Sequence, residues 1–272
     1  MLKSWCVALA IPGVVSCAAS ASIQFLATDG AQLFRADSAG SVGPAVMLDH
    51  EVQSLTFVPG GFSLPGASGG DILACARSAV AGQWAVYRVN DAFGAAPSLT
   101  QIGATSFGVG SMVFAGGDLY AVNDTLGPLR ISRLDATNFS VLQTWNTGIN
   151  ATGGGGIAWD SVAQRFLVTN ATANTLVSWT PSGGAVTIGS IGFGFANNGM
   201  EFLNGTLYGA LRPDAAGSTL RMGSFDLTTG AFTTLATATG IEGNGTGFVA
   251  IPAPGALGLI GVAALVRARR RR

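Results

Sequence analysis

Apolar residues in this chain come in short bursts of four to seven, broken by Gly, Asn, Asp and Pro, and the bursts recur. One five-residue pattern reads apolar, any residue, Arg or Ser, apolar, then an Asp-like polar residue. It occurs as Leu33-Phe34-Arg35-Ala36-Asp37, Val86-Tyr87-Arg88-Val89-Asn90, Ile131-Ser132-Arg133-Leu134-Asp135, Leu176-Val177-Ser178-Trp179-Thr180 and Met222-Gly223-Ser224-Phe225-Asp226, at intervals of 53, 45, 45 and 46 residues. A second burst ends on an aromatic, at Phe57, Phe114, Trp159, Phe202 and Phe248, with intervals of 57, 45, 43 and 46. A short apolar pair lies between the two (Ile72-Leu73, Leu119-Tyr120, Phe166-Leu167, Leu207-Tyr208), and a fourth burst follows the turn, over 98–102, 141–145, 185–191 and 232–235. Short strands split by turn residues are antiparallel meanders. Four of them in about 45 residues make one blade of a β-propeller.

The arithmetic of the ends predicts closure. The residues left over at the two termini sum to nearly one period. A last strand over 245–251 and first strands over 23–28, 31–37 and 44–48 would then complete a single blade. Sharing a blade between the termini removes the exposed edges of an open array. The expected fold is therefore all-β: a propeller of five four-stranded blades closed by a shared N/C-terminal blade, with signal helices at the two ends. An irregular β-solenoid or an open blade array is the alternative. The first interval is longer because residues 59–70, rich in Gly, Pro and Ser, read as a surface loop. The aromatic-ending strand is expected innermost. Three and one residues before its aromatic stand mostly small residues (Ser54/Thr56, Ser111/Val113, Gly156/Ala158, Gly199/Glu201, Gly245/Gly247), as crowding near an axis requires.

Composition narrows the class further. Of 272 residues, 48% are hydrophobic, 10% charged and 40 are Gly. A disordered chain, a helical bundle and a nucleic-acid binder with a basic stripe are all excluded. The formal net charge of zero is an average over unlike pieces. Residues 22–251 hold eight basic and fourteen acidic groups, and the remaining basic groups sit at the ends.

At the N-terminus, Lys3, an apolar stretch over 5–15 and Ala19-Ser20-Ala21 have the order of a secretory signal over residues 1–21, with cleavage at Ala19 and Ala21. Val14-Val15-Ser16-Cys17 resembles a degenerate lipobox, which would instead make Cys17 a lipidated first residue. Removing the leader leaves Cys75 as the one Cys of the body, so the body has no disulfide and relies on its core. At the C-terminus, residues 252–272 read Pro252-Ala253-Pro254-Gly255, an apolar run over 256–266, and a basic cluster ending in Arg269, Arg270, Arg271 and Arg272. Eleven apolar residues give about 16 Å of helix, short of a ~30 Å hydrocarbon core. That suits a transient membrane stop, with the Arg cluster held on the cytoplasmic side. This order resembles the PEP-CTERM sorting signal of exported bacterial proteins, with Ala253 in place of the usual Glu. The resemblance covers the tail alone. It implies transient anchoring by a transmembrane segment, cleavage by an exosortase-type membrane enzyme, and delivery to the cell surface or outside. The implied partners are the secretion machinery and that enzyme, with a polysaccharide or other surface ligand for the body and no nucleic acid.

Candidate chemistry in the body is sparse. Asp37, Asn90, Asp135 and Asp226 share one repeat position before a turn, where such side chains bond the local backbone. Arg35, Arg88 and Arg133 share another, as strand-end residues paired with acids or water. Residues 153–156 are four Gly but lack the Lys-Ser/Thr and helix of a phosphate loop. His50 is the single His and has no nucleophile motif beside it, so it reads as a loop residue. No catalytic or metal-ligand set emerges, and no cofactor is called for. The remaining set is Gln53, Asn197, Asn198, Glu201, Glu242 and Asn244, at or before inner-strand starts. These would converge at one mouth of the central channel, where carboxylate and amide oxygens suit Ca²⁺ or a sugar hydroxyl, or would satisfy crowded backbone groups. The functional expectation is an exported binding or structural propeller. The alternative is an extracellular carbohydrate- or lactone-active hydrolase or lyase using that mouth.

Overall fold

The computed structural model describes residues 22–77, 83–123, 127–151, 155–213, 218–241, 243 and 245–251, with Asn197 described in its backbone alone. The signal over 1–21 and the sorting tail over 252–272 lie outside the described residues, as do Glu242 and Asn244. Among the described residues no helix is long and apolar enough to cross a membrane.

The described chain is all-β, and its large sheets stand in a ring as a propeller. Three of them are the four-stranded meanders that the repeat predicts. One holds β8 (Val109–Ala115), β9 (Asp118–Asn123), β10 (Gly127–Leu134) and β11 (Val141–Ala151). The next holds β12 (Ile157–Asp160), β13 (Arg165–Asn170), β14 (Thr175–Thr180) and β15 (Gly184–Ser190). The last holds β16 (Phe195–Leu203), β17 (Thr206–Pro213), β18 (Thr219–Phe225) and β19 (Phe232–Thr239).

The fourth sheet corrects the expectation of five separate ones. It is six-stranded, in the order β20 (Phe248–Ile251), β1 (Gln24–Asp37), β2 (Val46–Phe57), β5 (Ile72–Arg77), β6 (Trp84–Asn90) and β7 (Ser98–Thr105). The chain ends do share a unit, since Gln24 pairs with Ile251 and Ala27 with Phe248. That unit is fused to its neighbour through β2. Val46 and Met47 pair with β1, residues from Ser54 onward pair with β5, and Val52 pairs with both Gly30 and Ala76. The ring therefore has four sheets, one of them double. The expected segments 23–28 and 31–37 run on through Gly30, which takes the positive φ of 59° that Gly alone adopts freely.

Burial lies between sheets rather than within them. Leu73, Cys75 and Val86 pack on Met112, Phe114 and Leu119, joining the first two sheets of the chain. Ile131 and Val122 meet Phe166 and Val177. Leu167 and Leu176 meet Leu207 and Phe225. The double sheet also folds onto itself, with Leu26, Leu33 and Val249 against Ala74, Ala85 and Tyr87. The insertion at 59–70 contributes too. Its hairpin β3 (Ser63–Leu64) and β4 (Ala67–Ser68) buries Leu64 and Ala67, and Phe62 packs edge-on to Phe114 at 4.8 Å.

Candidate functional site

The axis is built from the strands that the sequence marks as innermost. β2 touches β8, β8 touches β12, β12 touches β16, β16 touches β20, and β20 returns to β2. Side chains alternate along a strand, so every second residue faces the next sheet. The position three before each aromatic makes the seam at every step. Ser54 Oγ accepts the Met112 N–H at 2.9 Å, and Ser111 Oγ accepts the Ile157 N–H at 3.4 Å. The other three steps use Gly. Gly156 lies against Asn198 and Met200, Gly199 against Phe248, and Gly245 against Gln53. A Cβ on Gly199 would fall 2.6 Å from the Phe248 nitrogen, and one on Gly247 would fall 2.7 Å from the Leu55 nitrogen. The small residues are thus a condition of closure.

This geometry decides what several candidate residues do. Asn198, 3% exposed, bonds across the seam between β12 and β16. Its Oδ1 accepts the Gly156 N–H at 2.6 Å and the Thr169 hydroxyl at 2.5 Å. Gln53, 9% exposed, packs on Gly245 in the seam between β20 and β2. The two hold the same repeat position, four residues before Phe202 and Phe57, each in its own seam of the ring. The Asn198 bond satisfies a crowded backbone amide there. Asn197 pairs in register with Arg212. Among the described residues no three His, Cys, Asp or Glu side chains gather where they would hold a metal ion.

Glu201 stands apart. It lies one residue before its aromatic, where the other units carry Thr, Val, Ala and Gly. Its register partner is Tyr208, whose ring lies 5.5 Å from Phe25, which in turn lies 5.5 Å from Phe248. Burial pushes the Glu201 carboxyl up to about 8, and no charge among the described residues enters into that shift. Among the described residues it has no hydrogen bond or ion pair, so it is held neutral at pH 7.

A polar centre that sequence reasoning missed lies at the same junction. Asp29 is fully buried. Its Oδ1 is 3.5 Å from Arg212 Nη1, and its Oδ2 accepts the Gly243 N–H at 2.8 Å. Burial raises the Asp29 carboxyl, outweighing the lowering by Gly243 and Arg212. Beside it, Thr28 Oγ1 accepts the Gly247 N–H at 2.9 Å and donates to the Val52 carbonyl at 3.3 Å. Thr28 and Asp29 therefore clasp the returning end of the chain. Their sequence, Thr-Asp-Gly, reads only as a turn, and nothing local distinguishes it from the other turns.

The repeated acids behave as turn caps. Asp37 accepts from the Ala39 and Ser41 amides, Asp135 from Thr137, and Asp226 from Thr228 and Thr229. The equivalent Asn90 instead donates to Ser98 and Thr100 on the next strand. Two of the repeated Arg residues reach across to other segments, Arg35 to the Ala92 and Gly94 carbonyls and Arg88 to the Gly66 carbonyl as well as to nearby Asn90, while Arg133 pairs with Asp118 on the adjacent strand. His50 lies in β2 rather than in a loop, 3.1 Å from Asp49 and 4.8 Å, ring to ring, from Tyr87.

No protein-family model matches the chain. No curated protein matches it either. Among solved structures, it is similar to a chain of a nidogen/laminin complex at 14% identity and a TM-score of 0.46, over 83% of this chain and 98% of that one. A protein from Lactobacillus plantarum is similar at 15% identity and a TM-score of 0.42, over 84% and 71%. A provisionally assigned 6-phosphogluconolactonase of Bacteroides uniformis is similar at 14% identity and a TM-score of 0.39, over 80% and 68%. Identities this low carry no activity or partner across to this chain.

Proposed function

We propose that the chain is an exported propeller that acts at the cell surface or in the extracellular matrix, binding a polysaccharide or serving as a structural component. Its tail over 252–272 is then a removable sorting signal. The observation that carries this reading is how the axis uses its polar groups. Ser54, Ser111, Asn198 and Gln53 are committed to seams, which serves a rigid scaffold and leaves no assembled catalytic set among the described residues. Glycoside hydrolysis needs two carboxyl groups flanking one bond. Glu201 is in the protonation state of a general acid, yet among the described residues no second carboxyl perturbs it.

Mass spectrometry of the protein recovered from the producing cell tests the proposal. The expected mature chain begins at Ser22 and lacks the Arg-rich terminus. An intact Arg269–Arg272 end on surface or secreted material overturns the sorting reading. Retention inside the cell overturns the exported role.

A further inference from the structure

We infer that the hollow beside Arg35 binds one neutral sugar ring. This names a ligand subsite for the surface-binding reading above and rests on it. The hollow, about 270 Å³, is lined by Gln24, Arg35, Asp37, Ser41 and Phe93 among others. It lies where β1 faces the loop joining β6 to β7. Gln24 pairs with Ile251, so it lies at the end of the ring where the described chain begins and ends.

The site is built before any ligand arrives. Arg35 donates from Nε to the Ala92 carbonyl at 2.9 Å and from Nη2 to the Gly94 carbonyl at 2.5 Å. These carbonyls flank Phe93, so one guanidinium fixes the loop that presents the ring. Phe93 is 41% exposed and lines the hollow, so its ring is open to a ligand there. Asp37 is pinned through Oδ1 by the Ala39 and Ser41 amides at 2.9 and 3.0 Å. Its Oδ2 and Arg35 Nη1 make no bond among the described residues.

The donor set selects the ligand class. An anion would meet Asp37, and a cation would meet Arg35. A hydroxyl both donates and accepts, so a neutral polyol satisfies the carboxylate, the guanidinium, the Gln24 amide and the Ser41 hydroxyl together. The apolar face of a sugar ring lies on Phe93, as ligands lie on aromatic walls in sites with a few placed polar groups. The volume falls just under the range of drug-sized pockets, which fits a single ring better than a longer molecule.

Saturation-transfer NMR on the full chain tests this, with the methyl glycosides of glucose, galactose, mannose and glucuronic acid as probes. Transfer to at least one neutral glycoside is expected. Its affinity should fall about tenfold or more in Phe93→Ala, as for a lost aromatic anchor, and persist in Phe93→Tyr. No transfer to any neutral glycoside overturns the proposal, as does an unchanged signal in Phe93→Ala or a preference for the glucuronide. Co-sedimentation with envelope polysaccharide separates the two claims. Co-sedimentation undiminished in Phe93→Ala overturns the subsite while the surface reading stands. Glycoside binding by a wild-type chain that never co-sediments overturns the polysaccharide-binding part of the surface reading and leaves the subsite.

Discussion

Arg212 Nη1 lies 3.5 Å from Asp29 Oδ1 across 183 residues of sequence, and Asp29 also holds the Gly243 amide. One buried carboxylate thus ties β1 both to the last four-stranded sheet and to the approach to β20. Removing one partner of a buried pair leaves the other charge uncompensated, at about 3 kcal/mol. Asp29→Ala is expected to lower Tm by about 6–12 °C for a body of this size. Differential scanning calorimetry checks it, and a shift under about 2 °C would contradict the clasp.

The seam positions predict a graded response. Ser54→Ala deletes the acceptor for Met112 N–H and is expected to cost about 1–2 kcal/mol. Gly199→Ala forces a Cβ to within 2.6 Å of the Phe248 nitrogen, where β16 and β20 must separate to admit it. Overpacking of this kind costs about 1–3 kcal/mol or more. Gly116→Ala tests something different. Nothing lies within 4 Å of a Cβ there, so any loss comes from its φ of 58° alone. Urea titrations of the three variants should rank Gly199→Ala as the most damaging.

Glu201 sets a pH dependence whose sign is fixed. Its folded value, about 8, lies above the ordinary 4.5. Between these values the unfolded chain gives up the proton while the folded chain keeps it, so this group makes stability fall as pH rises from about 4.5 to about 8. Below that window it has no effect, and above it the loss is complete. Glu201→Gln removes the slope and should be the more stable protein at pH 9. Parallel Glu201→Gln and wild-type slopes in thermal denaturation across that window would refute the assignment.

Cys75 is fully buried in the core joining the first two sheets. A thiol in such surroundings is inert. Ellman's reagent is expected to leave it unmodified in the folded protein and to react once urea unfolds the chain. Rapid labelling of the native protein would show that this core opens locally.

Much of the ring was legible in the sequence because it repeats. The aromatic at the end of each inner strand, and the small residues before it, follow from side-chain alternation and crowding, both local properties read at one period. Phe114, Trp159 and Phe202 mark strands that the structure places innermost. The turn acids were legible for the same reason, since Asp135 bonds an amide two residues away. Asn198 was legible as a polar residue at a strand start that could satisfy a crowded backbone group, but which group it meets was not. Its partners, Gly156 and Thr169, lie 42 and 29 residues away, and their distance depends on how two sheets pack.

The sequence by itself therefore determined the strands, their period, and which of them face the axis, because alternation and turn chemistry act over a few residues. Tertiary structure decided the sheet count, the Thr28–Asp29 clasp, and the isolation of Glu201 opposite Tyr208. Each of these turns on the register between segments far apart in the chain. Val52 makes the point: it pairs with both Gly30 and Ala76 and fuses two units into one sheet. Nothing in the residues next to Val52 records that second partner, because a backbone hydrogen bond carries no side-chain identity.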